Sequence, residues 1–92
     1  MTLADVRAAN KAAGHHWFSR ATMRFFGTRI ETTVYKNRCF VTSELPPHGG
    51  RRYSVRRAMP DGSIETIGEF CGYRWLEDAR IAARLVSGEG EQ

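Results

Sequence analysis

The sequence predicts an α+β fold, in which helices at both ends of the chain flank a four-stranded antiparallel sheet. Apolar residues recur at helical spacing over residues 3–13 and 76–86, whereas they alternate with polar residues over much of residues 29–70. A turn sequence, Pro-Asp-Gly-Ser at residues 60–63, separates the last two alternating segments. We therefore expect the N-terminal helix, a short second helix and the C-terminal helix to pack on one face of this sheet.

Side chains with capping character mark where the first two helices begin. Thr2 and Asp5 have the spacing of a capping box, which predicts a first helix from residue 3 to residue 13. Ser19 is the next candidate for an N-cap, and Gly27 is typical of the residue that follows a helix. The second helix is therefore expected to be short.

Four segments of the middle region have the residue types and the alternation of strands. Their expected limits are residues 29–36, 39–43, 51–59 and 64–70. The connection at residues 36–38 is short enough for a hairpin, while residues 45–50 contain two prolines and two glycines and predict a loop. A domain this small needs most of its large side chains inside, so four aromatic residues of this region are expected in the core: Tyr35, Phe40, Tyr53 and Phe70.

Length and hydropathy predict one small domain. The chain has 92 residues, of which we assign 1–86 to a single domain and 87–92 to a disordered acidic tail. No apolar run approaches the roughly 18 residues of a membrane helix, and the N-terminus lacks a secretory pattern. We expect a monomer that works in a cytoplasm and has no membrane partner.

Charge is distributed unevenly along the chain. Residues 1–60 contain 11 Lys or Arg and three acidic residues, whereas residues 61–92 contain three Arg and seven acidic residues. Twelve of the 14 basic residues are Arg, whose planar guanidinium suits bidentate contacts with phosphate or carboxylate. The basic part of the chain therefore predicts an anionic partner.

The most basic segment, residues 51–57, supplies the first candidates for partner contact. If Tyr53 and Val55 face the core, strand alternation turns Arg52 and Arg56 to solvent. Other basic residues lie at the ends of this strand, near the first hairpin and in the second helix. The candidate partner-binding or RNA-binding residues are Arg52, Arg56, Arg51, Arg57, Lys36, Arg38, Arg20, Arg24 and Arg29.

Nothing in the sequence predicts catalysis, a metal site or a cofactor. Cys39 and Cys71 are isolated rather than in a close ligand pair, and adjacent His15 and His16 would point in different directions on a helix or strand. We expect both cysteines to be free thiols that behave as small apolar residues. The glycines are isolated, and they do not form a phosphate-binding loop.

Several runs resemble a family of short bacteriophage accessory proteins, over most of residues 6–84. These runs are residues 10–18 (NKAAGHHWF), 22–30 (TMRFFGTRI), 52–57 (RYSVRR) and 68–70 (GEF). In length and arrangement the chain is also similar to type I-F anti-CRISPR proteins. The resemblance implies a non-enzymatic inhibitor that binds Cas subunits of the type I-F crRNA-guided surveillance complex in the infected bacterial host.

The charge of the chain narrows how such an inhibitor would act. A mimic of duplex DNA would carry a dense acidic surface, whereas this chain has a basic body, so steric blocking of target DNA hybridisation fits better. Arginines would then contact crRNA phosphates while other surfaces contact Cas proteins. The alternative is a stand-alone phage nucleic-acid-binding or regulatory module, and a small enzyme is a third class.

Overall fold

The computed structural model describes residues 1–88 and has the expected α+β class. Its elements are α1 (Leu3–Ala12), α2 (Arg20–Phe25), β1 (Arg29–Ile30), β2 (Cys39–Glu44), β3 (Arg52–Ala58), β4 (Ile64–Ile67) and α3 (Leu76–Ser87). A 3-10 turn, Lys36–Arg38, precedes β2. The predicted order of helices and strands is confirmed. Of the expected acidic tail, Ser87 is the last residue of α3 and is buried, Gly88 is the C-cap of that helix, and residues 89–92 lie outside the described residues.

Both predicted N-caps are confirmed. The amide of Asp5 donates to the hydroxyl of Thr2 at 3.2 Å, and the Thr2 amide donates to the Asp5 carboxylate at 2.9 Å. The Ser19 hydroxyl accepts from the amide of Thr22 at 3.3 Å. These local hydrogen bonds replace the intrahelical partners that the first amides of α1 and α2 lack.

The four strands form one antiparallel sheet in the order β1-β2-β3-β4. Strand β1 is shorter than predicted, although the amides of Glu31 and Tyr35 still donate to carbonyls of β2. Strand β4 also ends early, because Gly68 takes a positive φ of 77° and turns the chain away. The long central strands β2 and β3 therefore form most of the sheet.

Helices cover both faces of the sheet. Val41 and Val55 are directly paired and pack against Ala79 and Ala83 of α3. The opposite face is covered by α1 and the segment after it, through a second buried cluster of Phe40, Ala58 and Val6, with Trp17, Phe18, Ile30, Val34 and Ile64 against it. This arrangement corrects the expectation that all three helices share one face. The reason is that β2 and β3 carry apolar side chains at both parities, so each face has apolar area to bury.

The turn between β3 and β4 fixes α1 to the sheet. Gly62 has a φ of 86°, and a Cβ built on it would lie 2.8 Å from the carbonyl oxygen of Ala9 in α1. Buried Asn10 donates to the Gly62 carbonyl at 2.8 Å and accepts from the amide of Trp17, also at 2.8 Å. One asparagine side chain therefore links α1, the turn and the segment that carries Trp17.

No helix within residues 1–88 has both the length and the apolar character needed to cross a bilayer.

Candidate functional site

Four arginines lie around one shallow depression at an end of the sheet. Arg20 and Arg24 come from α2, Arg29 from β1, and Arg51 from the residue before β3. The depression has a volume of about 400 Å³, and its other lining residues are Met23, Gly27 and Thr28. No Asp or Glu among residues 1–88 lines it. We call these four residues the arginine patch.

The arginine patch combines one fixed side chain with three exposed ones. The Nη1 of Arg51 donates to the carbonyl of Gly27 at 2.9 Å and to the hydroxyl of Ser43 at 3.0 Å. Arg20, Arg24 and Arg29 are exposed, and within the described part of the chain none of them forms an ion pair. Their positive charges are therefore available to an anion from solution.

Arg56 belongs to a buried hydrogen-bond network, which corrects its predicted position at the surface. It is only 7% exposed, and its Nη2 donates to Oε2 of Glu44 at 3.0 Å. Its Nε donates to the hydroxyl of Thr42 at 3.0 Å, and its Nη1 donates to the hydroxyl of Thr66. Glu44 also accepts from the hydroxyls of Thr42 and Ser54, each at 2.8 Å. Every partner in this network compensates for the loss of water around the two charges.

The error in placing Arg56 has a physical cause. Alternation correctly put Arg52 and Arg56 on the opposite side from Tyr53 and Val55, but that side of the sheet is not open to solvent. The guanidinium carbon of Arg56 lies 5.3 Å from the ring centroids of both Trp17 and Phe70. Aromatic rings cover it, and Glu44, 12 residues earlier in the sequence, neutralises it.

The remaining predicted residues are spread over the molecule. Arg52 lies directly opposite Glu44 in the backbone register of β2 and β3. It is half-buried, at the same end of the sheet as Arg51. Arg57 lies opposite Cys39 at the other end of β2, where it also faces Glu65 of β4. Lys36 and Arg38, which are both exposed, precede Cys39 at that same end. The structure therefore brings together four of the nine candidates.

An aromatic pocket borders the arginine patch. This open pocket of about 450 Å³ is lined by Trp17, Phe25, Phe26 and Phe70, together with Ala21, Thr22, Met23, Thr28 and Arg56. The Phe25 and Phe26 rings meet edge to face with centroids 4.7 Å apart, and Phe26 lies 5.1 Å from Phe70. Met23 and Thr28 line both the aromatic pocket and the depression of the arginine patch. The two features are thus adjacent parts of one surface.

Sequence reasoning missed this pocket. The sequence predicts Phe70 in the core, but Phe70 is 44% exposed, and Phe25 is 79% exposed. Phe40 does lie in the core, while Tyr35 and Tyr53 are half-buried against the cluster under α3. The sequence of α2 does contain a signal for this pocket. Ala21 and Phe25 are four residues apart and therefore form an apolar row on the helix, beside the row of Arg20 and Arg24.

The buried network also holds one wall of the pocket. The hydroxyl of Ser54 donates to Glu44 and accepts from the amide of Cys71 at 2.8 Å. Cys71 has a φ of 57°, in the left-handed region that residues with side chains seldom adopt. This bond therefore fixes the turn that presents Phe70, the preceding residue, to the pocket.

The surroundings of the Cys71 thiol disfavour its nucleophilic thiolate form. No disulfide joins the two cysteines; Cys39 is buried, and the thiol of Cys71 points to Glu44 with a sulfur-oxygen distance of 3.8 Å. Burial, followed by the negative charge of Glu44, raises the pKa of the Cys71 thiol above its usual value. A raised pKa leaves little thiolate at neutral pH. Within residues 1–88, no three His, Cys, Asp or Glu side chains gather as a metal-binding group.

On the α3 side of the sheet, acidic residues neutralise nearby arginines. Arg80 binds both carboxylate oxygens of Glu31, with its Nε at 2.8 Å and its Nη2 at 2.9 Å. These hydrogen bonds lower the pKa of Glu31. Glu77 lies 3.6 Å from Arg80 and 3.7 Å from Arg84. Arg80 and Arg84 on the α3 side thus have acidic partners, whereas Arg20, Arg24 and Arg29 of the arginine patch form no ion pair within residues 1–88.

Comparison with known proteins gives a family and no activity. No curated protein and no solved structure matches the chain. Residues 2–84, which include every helix start, every strand and both parts of the surface described above, match a family described as a family of unknown function, DUF7447. The chain is therefore a member of the DUF7447 family.

Proposed function

We propose that this protein is a non-enzymatic binding module whose arginine patch contacts the phosphate backbone of nucleic acid. The main support for the proposal is that all four arginines of the arginine patch line one depression. Within residues 1–88, no Asp or Glu lines this depression. Phosphate contacts from arginine release counterions from nucleic acid and supply most of the sequence-independent affinity. The guanidinium group also matches a phosphate with paired donors.

The rest of the described structure supports a binding role for this surface. Arg51 is held in place by Gly27 and Ser43, so less side-chain freedom is lost when it meets an anion. Arg56, by contrast, is bound to Glu44 and is covered by aromatic rings. The proposal therefore moves the contact surface from the middle of β3 to α2, β1 and the residue before β3.

The anti-CRISPR function implied by the sequence resemblance stays a prediction and uses the same surface. In that case the arginine patch would contact crRNA phosphates or acidic Cas side chains of the type I-F complex, in the cytoplasm of an infected bacterial host. The absence of acidic residues from the lining of the patch favours steric blocking over mimicry of duplex DNA. The two hypotheses differ in whether Cas proteins are needed for binding.

The test measures binding of labelled single-stranded and duplex oligonucleotides at low and high salt. We expect the double variant Arg20→Gln, Arg24→Gln to bind at least about tenfold more weakly than the wild type at low salt. The negative slope of log affinity against log salt concentration should also become shallower, by about 1.8 for the duplex and about 1.4 for the single strand, since two phosphate contacts are lost. The matched control is Lys36→Gln, Arg38→Gln, which removes two positive charges at the other end of β2.

The result that contradicts the proposal is equal affinity for the wild type and the Arg20→Gln, Arg24→Gln variant. A second arm compares naked oligonucleotides with an assembled type I-F crRNA-guided complex on the same scale. Binding to the complex that exceeds binding to its free crRNA by more than about a hundredfold would favour the anti-CRISPR hypothesis over the stand-alone module.

A further inference from the structure

Two rows of side chains on α2 connect the arginine patch to the aromatic pocket. Arg20 and Arg24 are one helical turn apart and line the depression of the patch, whereas Ala21 and Phe25 form the next row and line the pocket. A ligand that spans both rows would meet positive charge on one side of the helix and aromatic surface on the other.

The aromatic pocket is accessible and has rings in several orientations. Phe25, which is 79% exposed, stands at the rim, and Phe70 is 44% exposed. The Phe25 and Phe26 rings are inclined by 79°, and those of Phe26 and Phe70 by 55°. A flat group that enters the pocket can therefore lie against one ring while its edge contacts another.

The electrostatics of the pocket favour a neutral group inside it and an anionic group beside it. Among residues 1–88, Arg56 is the one charged residue that lines the pocket, and Glu44 neutralises it. Thr22 and Thr28 supply hydroxyl groups that can donate to or accept from the edge of a planar polar ring. The unneutralised charges lie across the shared border, in the arginine patch.

We propose that the aromatic pocket receives an unpaired base of a single-stranded nucleic acid whose phosphates contact the arginine patch. This inference rests on the proposed function and names its ligand class. Bases of a duplex are stacked on each other and cannot offer a face to Phe25 or Phe70, whereas bases of a single strand can. Charge complementarity favours this ligand over an apolar protein segment, because the neighbouring arginines require an anion next to the group that is inserted.

The experiment compares an oligothymidylate of about 12 nucleotides with an abasic strand of the same length, because both carry the same phosphates. Stacking is worth about 1–3 kcal/mol per base, so the wild type should bind the oligothymidylate at least about fivefold more tightly than the abasic strand. Phe25→Leu keeps an apolar side chain but removes the ring face, and it should abolish most of this preference. The matched control is Leu45→Ala, which changes an exposed apolar residue outside the lining of the pocket.

Intrinsic fluorescence supplies a second readout. Trp17 lines the pocket, while Trp75 is 63% exposed and lies beside Arg74. In a Trp75→Phe background, Trp17 is the remaining tryptophan of the chain. We expect oligothymidylate to quench or shift its emission and the abasic strand to leave it nearly unchanged.

Each outcome separates this inference from the proposed function. Equal affinity of the wild type for the two strands, with binding that still depends on Arg20 and Arg24, overturns base insertion and leaves phosphate binding intact. The same conclusion follows if Phe25→Leu weakens both strands equally. Binding that is insensitive to Arg20→Gln, Arg24→Gln overturns the proposed function instead. If neither strand binds and Phe25→Leu alters affinity for an apolar peptide, the pocket is a protein-docking site and the inference is wrong.

Discussion

Arg56 donates to Glu44 at 3.0 Å inside the protein, where the Glu44 side chain has no exposed surface. The two residues lie four positions apart along the β2-β3 ladder, and the hydroxyls of Thr42 and Ser54 fill the space between them. A buried pair of this kind is costly to break, because removing one partner leaves the other as an uncompensated charge.

Replacing Glu44 should therefore destabilise the fold strongly. We expect Glu44→Gln to lower the free energy of unfolding by about 3–5 kcal/mol. For a chain of this size, that change should lower the melting temperature by at least about 10 °C. Thermal unfolding followed by circular dichroism measures it, with Glu77→Gln at an exposed ion pair as the control. A Glu44→Gln protein that melts within about 3 °C of the wild type would show that Arg56 does not depend on this carboxylate.

Arg52 and Arg56 should respond differently to charge reversal. Arg56→Glu would place a second carboxylate beside Glu44 in the buried network, so we expect a protein that does not fold at 25 °C. Arg52→Glu also places a carboxylate opposite Glu44 in the register, but at a half-buried position whose arginine forms no ion pair in the described part of the chain, so we expect its free energy of unfolding to fall by about 1 kcal/mol or less. Urea titration compares the two variants. Similar midpoints would contradict the buried position of Arg56.

The ion pair between Glu31 and Arg80 should make stability depend on pH in the acid range. The pKa of Glu31 is lowered in the folded protein from its ordinary value of 4.5, so the pair stabilises the fold above that pH. The contribution is lost as the pH falls through the lowered pKa. We expect the difference in urea midpoint between the wild type and Arg80→Gln to be constant from about pH 5 to 7 and to shrink below about pH 4. Arg74→Gln, which removes an arginine that stacks on Trp75, should show no such change with pH.

The turn at Gly62 should not tolerate a side chain. Gly62→Ala adds a methyl group 2.8 Å from the carbonyl oxygen of Ala9 at a residue with positive φ, so both contact and backbone conformation oppose it. We expect the free energy of unfolding to fall by more than about 1 kcal/mol. Gly50→Ala is the matched control, since nothing lies within 4 Å of its Cβ position and its φ is not in the left-handed region. Equal effects of the two substitutions would mean that α1 does not pack against the turn.

Elements that depend on interactions between neighbouring residues are predictable from the amino-acid sequence. The capping box at Thr2, the N-cap at Ser19, the turn before β4 and the helical spacing of α3 all act over a few positions. The α+β class follows from these elements together with the period-two segments. The limits of β1 were less predictable, because an edge strand with one neighbour depends on tertiary contacts for how far pairing extends.

Packing between distant segments selects which face of the sheet is covered and which arginines reach solvent. Alternation separates the side chains of a strand into two sets but does not say what lies over each set. Trp17, held by Asn10, covers the face that carries Arg56, and Glu44 neutralises that arginine from a neighbouring strand. The arginine patch likewise depends on contacts over long sequence distances, such as the bond from Arg51 to the Gly27 carbonyl 24 residues earlier. The pattern of residues within one segment does not predict such long-range contacts, because burial and charge compensation arise only when distant segments pack together.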